Sequence, residues 1–313
     1  MGIWNDIPLR CRGLVTCPAS SAGPPPRLFR LWQFGQSGMV SPSREARLVR
    51  AGVPARPKDM ATLQGKKVLV TGGASGIGGA IVRELAGHSA VIGIHYYQSQ
   101  PEAHALKAHV DRAPGRAEIF GADLSDPDQA RKTVDDFARW AGGIDVLVNN
   151  AGDILARRKL QELDPEFERS VMAVNFDSAV FVTQAALAYL KTSGKAGGAG
   201  VVNVSSLAAR IGAGAGAGIY AASKGALLTW TKAMARELAG DGIRVNAVAP
   251  GFILGTSFHA THTPPSVQEQ VIESIPLRRA GTPEDVARCV VFLASEMDGF
   301  TTGAVLDING GVW

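Results

Sequence analysis

Cysteine is scarce in this chain: of 313 residues only three are cysteine, and two of those, Cys11 and Cys17, lie near the start. That leaves Cys289 alone beyond residue 58, which excludes a disulfide framework and a Cys-based metal site. No stretch approaches the ~20 consecutive apolar residues needed to span a bilayer, so no membrane partner is expected. A basic excess is also missing from most of the chain. The formal net charge is +4, but residues 1–58 hold eight arginines and Lys58 against Asp6 and Glu45, a local +7, which leaves residues 59–313 at −3. The basic character belongs to the leader, and no nucleic-acid partner is expected for the rest. What is present, 46% hydrophobic and 19% charged residues, is material for one large α/β core.

Residues 1–59 are rich in Arg, Pro, Gly and Ser, include Pro24-Pro25-Pro26 and show no sustained hydrophobic period. Such a segment cannot bury enough surface to fold alone and is expected to be disordered. Arg-rich, acid-poor leaders also serve as organelle transit peptides. Met60-Ala61-Thr62-Leu63-Gln64-Gly65-Lys66-Lys67 has the look of a natural beginning directly before the first strand. The leader therefore reads as an inert tail or a start-site artefact, and residues 60–313 as the folded domain.

From Lys67 onward, β-branched runs alternate with helical patterns. The runs are 68–70, 91–94, 118–120, 146–148, 201–204, 245–248 and 304–308. Alternation of this kind is the pattern of βαβ units, and it predicts a parallel seven-stranded sheet covered on both faces, three α/β/α layers in a single domain. Ile81, Val82 and Leu85, and a longer apolar stripe over 167–190, fall at helical spacing and should pack on the sheet. The Gly-rich stretches 194–200 and 212–218 read as loops.

Directly after the first run comes Thr71-Gly72-Gly73-Ala74-Ser75-Gly76-Ile77-Gly78, opening a helix. Glycines 72, 76 and 78 allow a tight turn and close approach of backbone to a pyrophosphate, whose charge the helix N-terminus favours. The arrangement is Rossmann-type, but the spacing is GxxxGxG rather than GxGxxG. Farther on, Tyr220-Ala221-Ala222-Ser223-Lys224 puts a phenol and an ammonium four apart on one helix face. A positive neighbour favours phenolate, so Lys224 is expected to lower the Tyr220 pKa from ~10 toward a value useful for acid–base work. Val204-Ser205-Ser206 ends the preceding strand, 14 positions before Tyr220 counted from Ser206.

These motifs together resemble the classical short-chain dehydrogenase/reductase family, over residues 62–313. The resemblance implies hydride transfer between a nicotinamide cofactor and a carbonyl or secondary alcohol. It assigns catalysis to Asn175, Ser206, Tyr220 and Lys224: Tyr220 as general acid/base, Ser206 on the substrate carbonyl, Lys224 on the ribose and Asn175 on a water that links Lys224 to solvent. The Ser206–Tyr220 interval is one residue longer than the commonest form, an insertion the loop 212–218 can absorb. Cofactor contacts are implied at Thr71, Gly72, Ser75, Gly76, Ile77 and Gly78. Further along the chain they are implied at Asp123 and Leu124, at Asn149, Ala151 and Gly152 of Asn149-Asn150-Ala151-Gly152, and at Pro250, Gly251, Ile253 and Thr256, besides Tyr220 and Lys224. NAD-selective relatives carry an acid at the end of the second strand. Tyr96 aligns there, with His95, Tyr97 and Ser99 beside it, so NADP(H) is favoured and NAD(H) stays possible.

Within the family, reduction of a 3-oxoacyl thioester or related ketone is expected. Oxidation of a sugar or polyol and a catalytically silent regulatory role are the alternatives. A cytoplasmic homotetramer, or a homodimer, is implied by the resemblance, whose C-terminal part is Asp307-Ile308-Asn309-Gly310-Gly311-Val312-Trp313. His259 and His262 lack a carboxylate or Cys partner and read as solvated loop histidines, with no metal. Arg157-Arg158-Lys159 and Arg278-Arg279 read as a solvated face, with attraction of an anionic substrate as the alternative.

Overall fold

The computed structural model describes residues 63–256, 261, 263–295 and 299–312; the leader 1–59, His259, His262 and Trp313 lie outside the described residues. Seven strands form one sheet: β1 (Lys67–Val70), β2 (Val91–Tyr96), β3 (Arg116–Gly121), β4 (Val146–Asn149), β5 (Ala199–Val204), β6 (Ile243–Pro250) and β7 (Val305–Ile308). All neighbours are parallel, in the order β3-β2-β1-β4-β5-β6-β7. The expected Rossmann-type sheet is therefore present. Chain direction across the sheet reverses between β1 and β4, and in open α/β sheets ligands bind outside the strand ends at such a switch point.

The helices are α1 (Gly76–Gly87), α2 (Gln100–Val110), α3 (Pro127–Ala141), α4 (Pro165–Met172), α5 (Ser178–Lys195), α6 (Ala208–Ile211), α7 (Gly218–Leu238), α8 (Pro265–Ser274) and α9 (Pro283–Ala294). Side chains alternate across a strand, and both faces here are covered. Val68 and Val70 pack with α1, α2 and α9, while Leu69 between them packs with α3, α5 and α7. Gly93 in β2 is a glycine for a packing reason: a Cβ there would lie 2.5 Å from the Phe137 ring, which sits edge-on to Phe120 at 5.8 Å. Three helices open on a capping side chain followed by proline, which is pre-organised for the first helical position. Asp126 accepts from the amides of Asp128 and Gln129, Asp164 from Phe167, and Thr282 from Asp285.

The run Pro165–Lys195 has the length and average composition of a membrane span. It carries Glu166, Glu168, Arg169 and Asp177, and buries Val182, Ala186 and Leu190 against the sheet. It is a core-packing element, interrupted by one π-helical turn, Ala173–Asp177.

Candidate active site

The glycine turn after β1 is held from three sides. Gly72 is left-handed (φ 58°) and a Cβ on Gly78 would lie 2.1 Å from the Gly72 carbonyl oxygen, so a side chain at either position is opposed. Asn150, just past β4, donates from Nδ2 to the carbonyls of Thr71 (3.0 Å) and Gly72 (2.9 Å). The Thr71 hydroxyl, beneath the turn, accepts from the amides of Asn150 (2.9 Å) and Ala151 (3.0 Å). No side chain caps α1 at Ser75, so its first-turn N–H groups are suited to an anion. A dinucleotide fits this donor set, because the cradle has backbone donors and no Cβ where a pyrophosphate would lie against it.

The third side is His95, 2% exposed at the end of β2. Its Nδ1 accepts from the Gly72 amide at 3.0 Å, so in the neutral ring Nε2 carries the proton and donates to the Ala122 carbonyl at 3.1 Å. Burial pushes its pKa down from 6.5 to about 4, since protonation would charge a dry site and remove the acceptor. The folded state therefore binds fewer protons than the unfolded chain between these values. This part of the stability is complete above about pH 6.5 and is lost as pH falls through about 4, a change of about 3 kcal/mol. Urea midpoints of the wild type and His95→Gln, compared from about pH 7 to about pH 4, should converge as pH falls. Parallel curves would remove His95 from this role.

Tyr96, on the opposite side of β2, packs over Gly121, where a Cβ would meet its hydroxyl at 2.7 Å. It lines the same cleft as Tyr97, Gln98 and Ser99. The residue that touches the glycine turn is thus His95, one position before the aligned Tyr96. Asp123 and Leu124 are not on the cleft wall: Asp123 Oδ1 accepts from the Ser125 amide (2.9 Å) and hydroxyl (2.6 Å), and Leu124 is buried in the core. Asn149 is likewise internal, donating to Thr183 Oγ1 (3.0 Å) and Asn203 Oδ1 (2.9 Å).

Apart from Thr71 and Asn175, which lie behind its wall, the remaining predicted residues line a cleft of about 680 Å³, within the usual range for ligand sites. Gly72, Ser75, Gly76, Ile77 and Gly78 wall it from the β1 side, Ala151 and Gly152 from β4, and Ser206, Tyr220 and Lys224 from β5 and α7. Pro250, Gly251, Ile253 and Thr256 close the β6 side. Gly255, left-handed at φ 80°, turns the chain so that Thr256 Cγ2 comes within 3.5 Å of the Cβ position of Gly76. Thr256 therefore stands on the cleft wall beside the glycine turn.

Ser206 hydrogen-bonds Tyr220, whereas the Ser205 hydroxyl donates into the backbone at Lys224 (2.8 Å). Of the two serines, Ser206 meets the phenol. The loop 212–218 absorbs the insertion through left-handed Gly212, Ala213 and Gly216. Lys224 is 4% exposed, donates to the Val204 carbonyl at 3.1 Å, and places Nζ 5.9 Å from the Tyr220 ring centroid. Asn175 sits in the π-turn, where its Nδ2 donates to Val171 O (2.9 Å), a carbonyl of its own helix, and to Asp153 O (2.6 Å). A π-turn is a common form of helix at functional sites. Its Oδ1 is buried and has no hydrogen-bond partner. Gly152 explains the closeness of the group, since a Cβ there would lie 2.6 Å from Asn175 Oδ1 and 2.7 Å from Lys224 Nζ.

One expectation is corrected. Tyr220 is not shifted down: its pKa is pushed up to about 12, first by burial and also by the Asp153 carboxylate, with the Ser206 hydrogen bond pulling the other way. Burial pushes Lys224 down to about 8, partly offset by Asp153. Desolvation of the phenolate outweighs attraction to a buried ammonium that is itself disfavoured.

Sequence motifs did not single out Asp153, Ile154 and Leu155, which line the cleft beside Arg157. The available signal was position, immediately after Gly152. Among the described residues no cluster of metal-binding side chains occurs.

Residues 72–313 match the family described as enoyl-(acyl carrier protein) reductase. The 3-oxoacyl-(acyl-carrier-protein) reductase of Thermotoga maritima is 38% identical over 254 residues, 80% of this chain and 98% of that protein. An NADH-dependent reductase, A1-R′, responsible for alginate metabolism superposes with a TM-score of 0.74 at 36% identity, covering 80% of this chain and 97% of that one. A short-chain dehydrogenase from Burkholderia cenocepacia in complex with NADP gives 0.72 at 35% identity, covering 80% and 98%. The family match runs from the glycine turn through both sides of the cleft, and the chain belongs to the short-chain dehydrogenase/reductase family of oxidoreductases.

Proposed function

We propose that the protein is an NADPH-dependent reductase of a 3-oxoacyl thioester or related ketone, with Tyr220 as the proton donor. The observation that carries this reading is the Tyr220–Ser206 hydrogen bond, set in one cleft with buried Lys224. A bound nicotinamide would supply hydride to the carbonyl carbon. Ser206 donates to the carbonyl oxygen and orients it, and Tyr220, protonated at neutral pH with its pKa near 12, delivers a proton to the developing alkoxide. Lys224 holds the cofactor ribose, and Asn175, through its unpaired buried Oδ1, binds the water that returns a proton by way of Lys224.

The end of β2 favours NADP(H). Cleft residues His95, Tyr96, Tyr97, Gln98 and Ser99 include no carboxylate to repel a 2′-phosphate, and Tyr97, Gln98 and Ser99 offer hydroxyl and amide donors. NAD(H) is the weaker cofactor in this reading. Oxidation of a sugar or polyol is the second reading, favoured by Asp153, an exposed carboxylate on the cleft wall able to accept from substrate hydroxyls. A panel of carbonyls and alcohols with both cofactors, followed by nicotinamide absorbance, tests the assignment. Activity confined to polyols with NAD would overturn it.

Lys224 gives the reaction a pH signature. Its ammonium is present below about 8 and lost above, so carbonyl reduction should be flat on the acid side and decline as pH rises through about 8, by roughly tenfold per unit at the limit. Alcohol oxidation needs the phenolate and should rise with pH over the same range. Profiles of kcat/KM in both directions check this, and a reduction rate that climbs through pH 8 would contradict it.

The family resemblance also supports a cytoplasmic homotetramer, with a dimer as the smaller assembly. Phe292 at the end of α9 and Phe300 in the loop to β7, 41% and 94% exposed, are apolar surface suited to contact between copies. Size-exclusion chromatography with light scattering tests the assembly, and a monomer would defeat it.

A further inference from the structure

The Ser206 hydroxyl, just past the end of β5, is steered by the residues that follow it. The Ala208 amide donates to Ser206 Oγ at 3.1 Å, and the Ala209 amide donates to the Ser206 carbonyl at 3.1 Å. With an amide on its acceptor side, the hydroxyl presents its proton to the cleft, toward Tyr220 and the place of a substrate oxygen. The direction of Ser206 therefore depends on where α6 lies. Leu207, Ala208 and Ile211 line the cleft as well, so the same turn of helix forms part of the substrate wall.

By itself α6 has little to hold it in place. It is a single turn of four residues, none of them buried, and left-handed Gly212 (φ 85°) ends it. So short a helix does not repay its own nucleation, and core packing does not anchor it. Two attachments to the sheet do. The Leu207 amide donates to the Pro250 carbonyl, at the end of β6, at 2.8 Å. Farther out, Arg210 reaches past β6 to β7: its Nε and Nη2 donate to the two carboxylate oxygens of Asp307 at 3.2 and 3.1 Å. Since β5, β6 and β7 are neighbours in that order, this pair ties the exit of β5 to a strand two places away.

Asp307 is a firm post for that tie. Leu306 and Ile308 on either side of it pack into the core layer of α1 and α9, and strand alternation sends Asp307 to the opposite face of the sheet, the one that α7 covers. Its register is fixed as well, with Asp307 opposite Ala249 and the Gly251 amide donating to the Ile308 carbonyl at 2.9 Å. The Asp307 side chain is 14% exposed, against 36% for Arg210. A two-point guanidinium–carboxylate contact to a largely covered acceptor fixes geometry, which a single exposed ion pair does not. Neither residue lines the cleft, and they lie 97 positions apart in the sequence.

We propose that Arg210 is a positioning residue for carbonyl reduction: through its two-point contact with Asp307 it holds α6, and α6 holds the Ser206 hydroxyl on the substrate oxygen. This deepens the reductase reading of the cleft and rests on it. Arg210→Gln should lower kcat for reduction of ethyl acetoacetate by NADPH roughly tenfold, below the ~100-fold that about 1 Å of misplacement can cost. NADPH affinity should stay at the wild-type value, because the glycine turn and Lys224 keep their own anchors. Asp307→Asn should give the same loss, and the double variant no more than either alone. A second cycle separates positioning of Ser206 from a general loosening of the fold: in a Ser206→Ala background, Arg210→Gln should cost less than about twofold, because the group it orients is gone. Wild-type kcat in R210Q, or a full additive loss in the Ser206→Ala background, overturns the inference. Hydrogen exchange needs no substrate. In R210Q the amides of residues 207–212 should exchange at least about tenfold faster while the strands keep their protection, and unchanged protection of 207–212 also overturns the inference. Faster exchange in R210Q together with a wild type that reduces no carbonyl would remove the reductase reading and leave Arg210 as the residue that holds α6.

Discussion

Tyr220→Phe should cut turnover by roughly 10²- to 10⁴-fold, the range of general acid–base catalysis, with cofactor affinity left close to the wild type. The substitution removes one oxygen from a side chain at the start of α7 whose ring position is fixed by the helix and the cleft wall. The hydroxyl hydrogen-bonds Ser206, so its loss deprives the alkoxide of its proton donor and Ser206 of its neighbour. The groups expected to hold the dinucleotide, the glycine turn and Lys224, keep their own anchors: Asn150 on the Thr71 and Gly72 carbonyls and Val204 O on Lys224 Nζ. Single-turnover kinetics and NADPH titration by fluorescence measure the two quantities separately. Near-normal turnover would displace Tyr220 from its role, and a parallel collapse of NADPH affinity would show that the phenol acts through structure. Ser206→Ala should be milder in turnover, because Tyr220 still delivers its proton to a less well oriented carbonyl.

Much of the frame was legible because it depends on short-range pattern. Runs such as Val146-Leu147-Val148 are apolar on both faces, as strands between two helical layers must be, and Thr71 to Gly78 sits between strand and helix as a phosphate-binding turn requires. What escaped depends on residues distant in sequence. That His95 rather than Tyr96 meets the glycine turn follows from the pleat of β2 against β1, a matter of which face each residue takes. The π-turn at Asn175 reflects an amide shared between Val171 O in its own helix and Asp153 O, 22 residues away. The upward shift of Tyr220 was not legible because i,i+4 spacing reports proximity of the ammonium, whereas desolvation of the two groups is set by β5, the 152–155 segment and α4 around α7. Arg157 and Arg158 are adjacent and chemically identical, and only the fold sends one to Asp164 and the other to the cleft.

Gly78→Ala should reduce NADPH affinity on the order of 100-fold or more and lower the melting temperature, although alanine is the better helix former by about 1 kcal/mol. The added Cβ would stand 2.1 Å from the Gly72 carbonyl oxygen and 2.6 Å from Asn150 Nδ2. Neither can step aside cheaply. Gly72 O is backbone in a left-handed turn whose amide is tied to His95, and Asn150 Nδ2 already bridges two carbonyls of that turn. Relief therefore requires α1 to move away from the turn, which misaligns the N–H groups that face a pyrophosphate; overpacking alone costs about 1–3 kcal/mol, and 3 kcal/mol is about 150-fold in a dissociation constant. Gly79→Ala is the internal control. Its Cβ would meet Ala74 O at 3.4 Å and Arg83 Nη1 at 3.6 Å, ordinary contacts, so the helix should gain stability with binding retained. Isothermal titration and thermal melts of the two variants should diverge in sign, and wild-type affinity in G78A would mean that the turn does not grip the dinucleotide.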